Sequence, residues 1–162
     1  MRLPTSGRIF RGKDMKEREM FKVSILAAFV AAAFTGEAMA AEVTVKMLNK
    51  GSDGTMVFEP AFVKVAPGDT VRFVATHKSH NAETMAGMLP SGAAPFKGKM
   101  NQDVTVKFTK PGVYGVECLP HHALGMVALI QVGKAGNLAQ AKSVKHPPLA
   151  QRRLDRMFQL VK

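Results

Sequence analysis

The chain has 162 residues, a formal net charge of +11, 46% hydrophobic residues, one cysteine, one tyrosine and no tryptophan. That composition is too apolar for a disordered chain, and a lone cysteine excludes a scaffold stapled by internal disulfides. The basic excess raises nucleic acid as a partner, but no nucleic-acid motif accompanies it, so none is expected.

The N-terminus is a targeting segment. Met15–Lys22 is a charged leader, Val23–Phe34 is an uncharged apolar run, and Ala38-Met39-Ala40 places small residues where a signal peptidase cuts. The apolar run falls short of the roughly 20 residues that a membrane-spanning helix needs. A secretory signal over residues 1–40 is expected, with cleavage before Ala41 and Met15 or Met20 as alternative starts. Residues 41–162 then form one exported, periplasmic domain with no stable membrane attachment.

Residues 41–133 predict strands throughout. Val43, Val45 and Met47 alternate with polar residues, Gly51–Gly54 makes a turn, and Met56 to Val65 is a strand interrupted at Pro60. Pro67-Gly68-Asp69 turns the chain into Thr70–Val74, which leads directly to His77 and His80. Residues 84–101 show no period and predict a long loop. Val104–Phe108 alternates, Pro111-Gly112 turns into Val113–Cys118, and Met126–Val132 is nearly all apolar, as a central strand would be. Short strands bounded by Pro-Gly turns predict an all-β fold, a Greek-key β-sandwich.

Residues 134–162 predict two helices. One covers Asn137–Lys142 and the other opens at Pro147-Pro148, where proline suits a first turn. Leu154, Met157, Phe158 and Val161 form an apolar stripe opposite Arg152, Arg153, Arg156 and Lys162. Such a stripe packs on its own core more often than it lies on a membrane surface.

Cys118-Leu119-Pro120-His121-His122-Ala123-Leu124-Gly125-Met126 has the spacing C-x2-H-x4-M. A thiolate, an imidazole and a weak thioether suit copper in a trigonal site once a second imidazole joins them. His146 lies beside two prolines and is expected to be exposed, and His122 cannot easily share one ion with its neighbour His121. His77 and His80 both end the Thr70–Val74 strand; His80 is preferred because Asn81 beside it can tie two ligand loops together by hydrogen bonds. Pro120 has no N–H to donate toward the Cys118 sulfur.

A His-Asn after a strand, Pro-Gly-x-Tyr-x-x-x-Cys, C-x2-H-x4-M and a final apolar strand resemble the cupredoxin, or type 1 blue copper, family. The two C-terminal helices and the Gly-Met-Leu-Pro loop at 87–90 are similar to its pseudoazurin branch. The resemblance implies a single copper ion held by His80, Cys118, His121 and Met126, with Met56 packing near the His121 ring. It places Lys50, Lys78, Lys97 and Lys99 in a basic docking ring. Glu117, Leu119 and His122 depart from the pattern of that family. The implied activity is one-electron transfer rather than catalysis, from a monomer that docks transiently on an acidic redox partner such as copper nitrite reductase.

Two other functions fit the same residues. A copper-storage protein without a redox partner would cluster its methionines, and Met47, Met56, Met85, Met88, Met100, Met126 and Met157 are scattered. A zinc enzyme would need an open position and a general base. Met126 occupies the fourth direction, and Glu117, one step along the strand from Cys118, should face away from it.

Overall fold

The structure is a computed structural model that describes residues 40–162; the targeting segment expected over residues 1–40 therefore lies, apart from Ala40, outside the described residues. Eight strands run β1 (Glu42–Gly51), β2 (Gly54–Glu59), β3 (Phe62–Val65), β4 (Thr70–Val74), β5 (Glu83–Thr84), β6 (Val104–Lys107), β7 (Gly112–Glu117) and β8 (Val127–Val132). A 3-10 turn at Leu119–Leu124 joins β7 to β8, and two helices follow, α1 (Leu138–Ser143) and α2 (Pro148–Phe158).

The strands form two four-stranded sheets, ordered β2-β1-β4-β6 and β3-β8-β7-β5. In each sheet one pair is parallel, β1 with β4 and β3 with β8. The interrupted strand expected over Met56–Val65 is two strands in different sheets. The chain leaves β2, passes Pro60, which cannot donate to a ladder, and enters the facing sheet as β3. The loop expected over residues 84–101 is entered through a short pairing, Glu83–Thr84 with Val116–Glu117, and Lys97 within it forms a bridge to Glu83.

Alternation sets the layers. Val45, Met47, Val71 and Phe73 point between the sheets and meet Tyr114, Val116, Ala128, Ile130 and Val132 from the other side. β8 is buried at every position because it is covered twice. Its even-numbered residues face the sandwich core, whereas Val127 and Leu129 face a second core beneath the helices. That second core takes up Leu154, Met157 and Phe158 from α2. Each such side chain contributes about 1.5–3 kcal/mol on burial, which favours docking on the sheet over a membrane surface. Gln131, also on the helical face, is fully buried and bonds the Gly133 and Lys162 carbonyls at 2.9 and 2.6 Å, closing the C-terminus onto the sheet.

Arg153 does not join the outward basic face. It is partly buried, and its guanidinium turns toward the carbonyls of β2 and the 3-10 turn. A residue bordering an apolar stripe can lay its stem on the core while its head finds acceptors at the edge.

Candidate metal centre

The loops that leave β4 and β7 meet at one end of the sandwich, and each brings part of a donor set. His80 lies six residues past β4 and is fully buried, as is Cys118, which follows β7. His121 sits in the 3-10 turn and is partly exposed. The His80 and His121 Nδ1 atoms are 3.1 Å apart. The Cys118 Sγ lies 3.7 Å from His80 Nδ1 and 3.4 Å from His121 Nδ1.

Those three separations fit a metal ion. A point inside the triangle lies about 2.0 Å from all three atoms, close to the roughly 2.0–2.1 Å imidazole and 2.3 Å thiolate bonds of a borderline transition metal. The protonation pattern fits as well. His80 Nε2–H donates to Asn49 Oδ1 at 2.7 Å, which leaves the Nδ1 lone pair facing its partners. Burial pushes the Cys118 thiol up, against the opposing backbone N–H groups of Asn81 and His121. A bound cation makes the thiolate the stable form there. Burial, and then the neighbouring His121, hold His80 below its ordinary value, keeping it neutral as a ligand must be.

The supporting hydrogen bonds bind the two loops together. Asn81 Oδ1 accepts the Leu119 N–H at 2.9 Å, and its amide nitrogen donates to Glu83 Oε2 at 2.9 Å. Met126, fully buried, pairs with Cys118 through its carbonyl at 3.0 Å and donates its N–H to the His121 carbonyl at 3.1 Å. Gly125 ends the turn with φ +83, a left-handed conformation that suits glycine.

The remaining histidines stand outside the donor triangle. His77 is exposed, and its Nδ1 accepts the Asn49 N–H at 2.9 Å. The expectation that His146 is exposed does not hold. The chain folds back before α2 and sets His146 Nδ1 3.3 Å from His122 Nε2, leaving His146 Nε2 buried without a partner. His122 is held in turn by Glu117, whose Oε2 lies 2.7 Å from its Nδ1. Glu117 is thus occupied by His122, and burial pushes its carboxyl up while His122 opposes the shift.

Pro120 is exposed in the 3-10 turn, and Met56 is partly buried against the sandwich core with φ +51. Lys50, Lys78, Lys97 and Lys99 are all exposed, and Lys97 Nζ lies 3.6 Å from Glu83 Oε2. Sequence reasoning missed Asn49, the acceptor that orients His80. It follows the alternating run of β1 with no motif around it, and the parallel pairing of β1 with β4 is what carries it to the site.

A buried His-Cys-His triangle between two loops at the end of a Greek-key sandwich defines a cupredoxin metal centre. The sequence profile of copper-binding proteins of the plastocyanin/azurin family matches residues 45–133. A pseudoazurin of Methylorubrum extorquens is 51% identical over 142 residues, covering 86% of this chain and 96% of that one. A pseudoazurin of Paracoccus pantotrophus is 50% identical over 138 residues, 84% of this chain and 95% of its own. The crystal structure of pseudoazurin from Methylobacterium extorquens AM1 superposes with a TM-score of 0.73 at 52% identity, over 75% of this chain and 99% of that one. The chain belongs to the copper-binding plastocyanin/azurin family, among relatives that are pseudoazurins, and is an electron-transfer cupredoxin with one type 1 copper ion.

Proposed function

We propose that the protein is a periplasmic one-electron carrier that donates to a redox enzyme such as copper nitrite reductase, with His80, Cys118, His121 and Met126 as its copper ligands. The single observation that carries the ligand reading is the donor triangle of His80, Cys118 and His121. When bound, copper supplies the Cu(II)/Cu(I) couple. The chain holds the donors in place, so that little moves when the charge changes. His80 is fixed by Asn49, and the Cys118 backbone is fixed by Met126. Burial of His80, Cys118 and Met126 excludes water from most of the site.

His121 is the donor nearest solvent and is the exit for the electron. Leu119 and Leu124, 54% and 49% exposed, lie in the same turn and give a partner an apolar contact around it. Lys50, Lys78, Lys97 and Lys99, all exposed, supply the positive charge that steers a transient encounter with an acidic partner. Residues 1–40 act as the secretory signal, and residues 41–162 act as a monomer once it is removed.

The salt dependence of electron transfer to an acidic partner enzyme tests the docking part. The second-order rate is expected to fall steeply as ionic strength rises, and Lys78→Gln with Lys99→Gln should flatten the dependence. A flat profile in the unaltered protein would remove the lysines from docking.

A further inference from the structure

A thioether is a weak axial ligand, so its distance from a trigonal copper site is set by the backbone that carries it rather than by the bond itself. Two hydrogen bonds fix Met126 relative to its own ligand loop, one to the His121 carbonyl and one from the Cys118 N–H. The loop is tied elsewhere by Asn81, which holds the Leu119 N–H, and by the pairing of Glu117 with Val127. At Gly125, the residue before Met126, a further tie comes from α2. Arg153 Nη1 donates to the Gly125 carbonyl at 2.7 Å and to the Met56 carbonyl at 2.8 Å. Its Nη2 donates to the Thr55 carbonyl at 3.0 Å.

One nitrogen thus bridges the residue just before Met126 and a residue of β2. Both ends of the bridge have positive φ, +83 at Gly125, where glycine accepts it, and +51 at Met56, where a side chain rarely does. A positive φ is uncommon for a side chain such as methionine and persists where surrounding contacts impose it. Close packing adds to the constraint. A Cβ at Gly125 would come within 2.9 Å of Leu149 Cγ and 3.2 Å of Arg153 Cδ, so α2 rests directly on the Gly125 backbone.

We propose that Arg153 is a positioning residue for the copper site: its guanidinium locks the Gly125 and Met56 carbonyls together and so sets the approach of the Met126 thioether. Charge-assisted hydrogen bonds are about twice as strong as neutral ones, which suits them to hold a loop end against a weak ligand bond. The inference rests on Met126 being the axial ligand.

The test compares unaltered protein with Arg153→Gln, Arg153→Lys and, as a control on the outer face of the same helix, Arg156→Gln. Copper-loaded samples give the ratio of the two thiolate-to-copper bands in the visible spectrum. Metal-free samples give amide hydrogen exchange at Gly125 and Met126. Arg153→Gln is expected to change the band ratio and to speed exchange at both amides by about tenfold or more. Arg153→Lys should fall between, and Arg156→Gln should match the unaltered protein. If Arg153→Gln does not fold, Arg153→Lys against Arg156→Gln decides on the same readouts. Unchanged bands and exchange in the Arg153 variant, even with a lower melting temperature, would make it a mere brace and overturn the inference. An unaltered protein without the thiolate bands would overturn the ligand reading itself, and this inference with it.

Discussion

Replacing Asn49 by leucine isolates the hydrogen bond that orients His80. His80 is fully buried and gives its Nε2–H to Asn49 Oδ1 at 2.7 Å. Leucine matches asparagine in bulk, accepts no hydrogen bond and keeps water away from the vacated position. The Asn49 backbone N–H still reaches His77, so the strand end stays anchored. An orphaned buried donor costs about 1–3 kcal/mol. Independently, losing the outer partner of a metal-bound imidazole lowers metal affinity by about 10–100-fold, which is about 1.4–2.7 kcal/mol. The two routes agree. Competition for Cu(I) against a calibrated chelator should therefore show copper held about 10–100-fold less tightly by Asn49→Leu. Asn49→Ala should lose less, because residue 49 is exposed and water can stand in for the amide oxygen. Copper affinity of Asn49→Leu within about twofold of the unaltered protein would refute the argument that this bond orients a ligand.

Two further substitutions probe other parts of the account. Pro120→Ala introduces an N–H two residues beyond Cys118, and a donor aimed at the thiolate favours the less positive reduced state. The midpoint potential should rise, and an unchanged voltammogram would show that no donor reaches the sulfur. Asp103 staples the end of β4, accepting the Ala75 N–H at 2.9 Å and Arg72 Nη2 at 2.8 Å. The Ala75 hydrogen bond, and then Arg72, lower its carboxyl pKa. Its contribution is therefore present above the unfolded carboxylate value of about 4 and is lost as pH falls below it. Denaturant titrations should show Asp103→Asn less stable by about 0.5–1 kcal/mol at neutral pH, since both side chains are largely exposed. The deficit should shrink in acid, and a deficit independent of pH would place its cause elsewhere.

The sequence was most legible where interactions are local. Cys118, His121 and Met126 lie close together around one turn, so their spacing alone suggests a candidate ligand set. The α2 stripe was legible for the same reason, since Leu154, Met157 and Phe158 are neighbours on one helix face. What failed depended on contacts between distant segments. Local sequence preferred His80 to His77 without deciding between them, because the choice turns on where the β1 end lies: the Asn49 backbone engages His77 and its side chain engages His80. Asn49 was invisible because a parallel pairing leaves no local mark on either strand. Arg153 was assigned to the solvent face by periodicity alone, yet unpaired carbonyls at Met56 and Gly125, far away in sequence, draw it inward. His146 was expected to be exposed by its prolines, and the approach to His122 that leaves it half-buried has no counterpart in spacing.

The central claim is that Cys118 is a ligand of a redox-active copper ion. A visible absorption spectrum of residues 41–162 with one equivalent of Cu(II), taken before and after ascorbate, tests it most directly. The account predicts an intense thiolate-to-copper band near roughly 600 nm that bleaches on reduction and returns on reoxidation. Stoichiometric copper without that band would show that Cys118 does not bind the ion, and the electron-carrier account would fail.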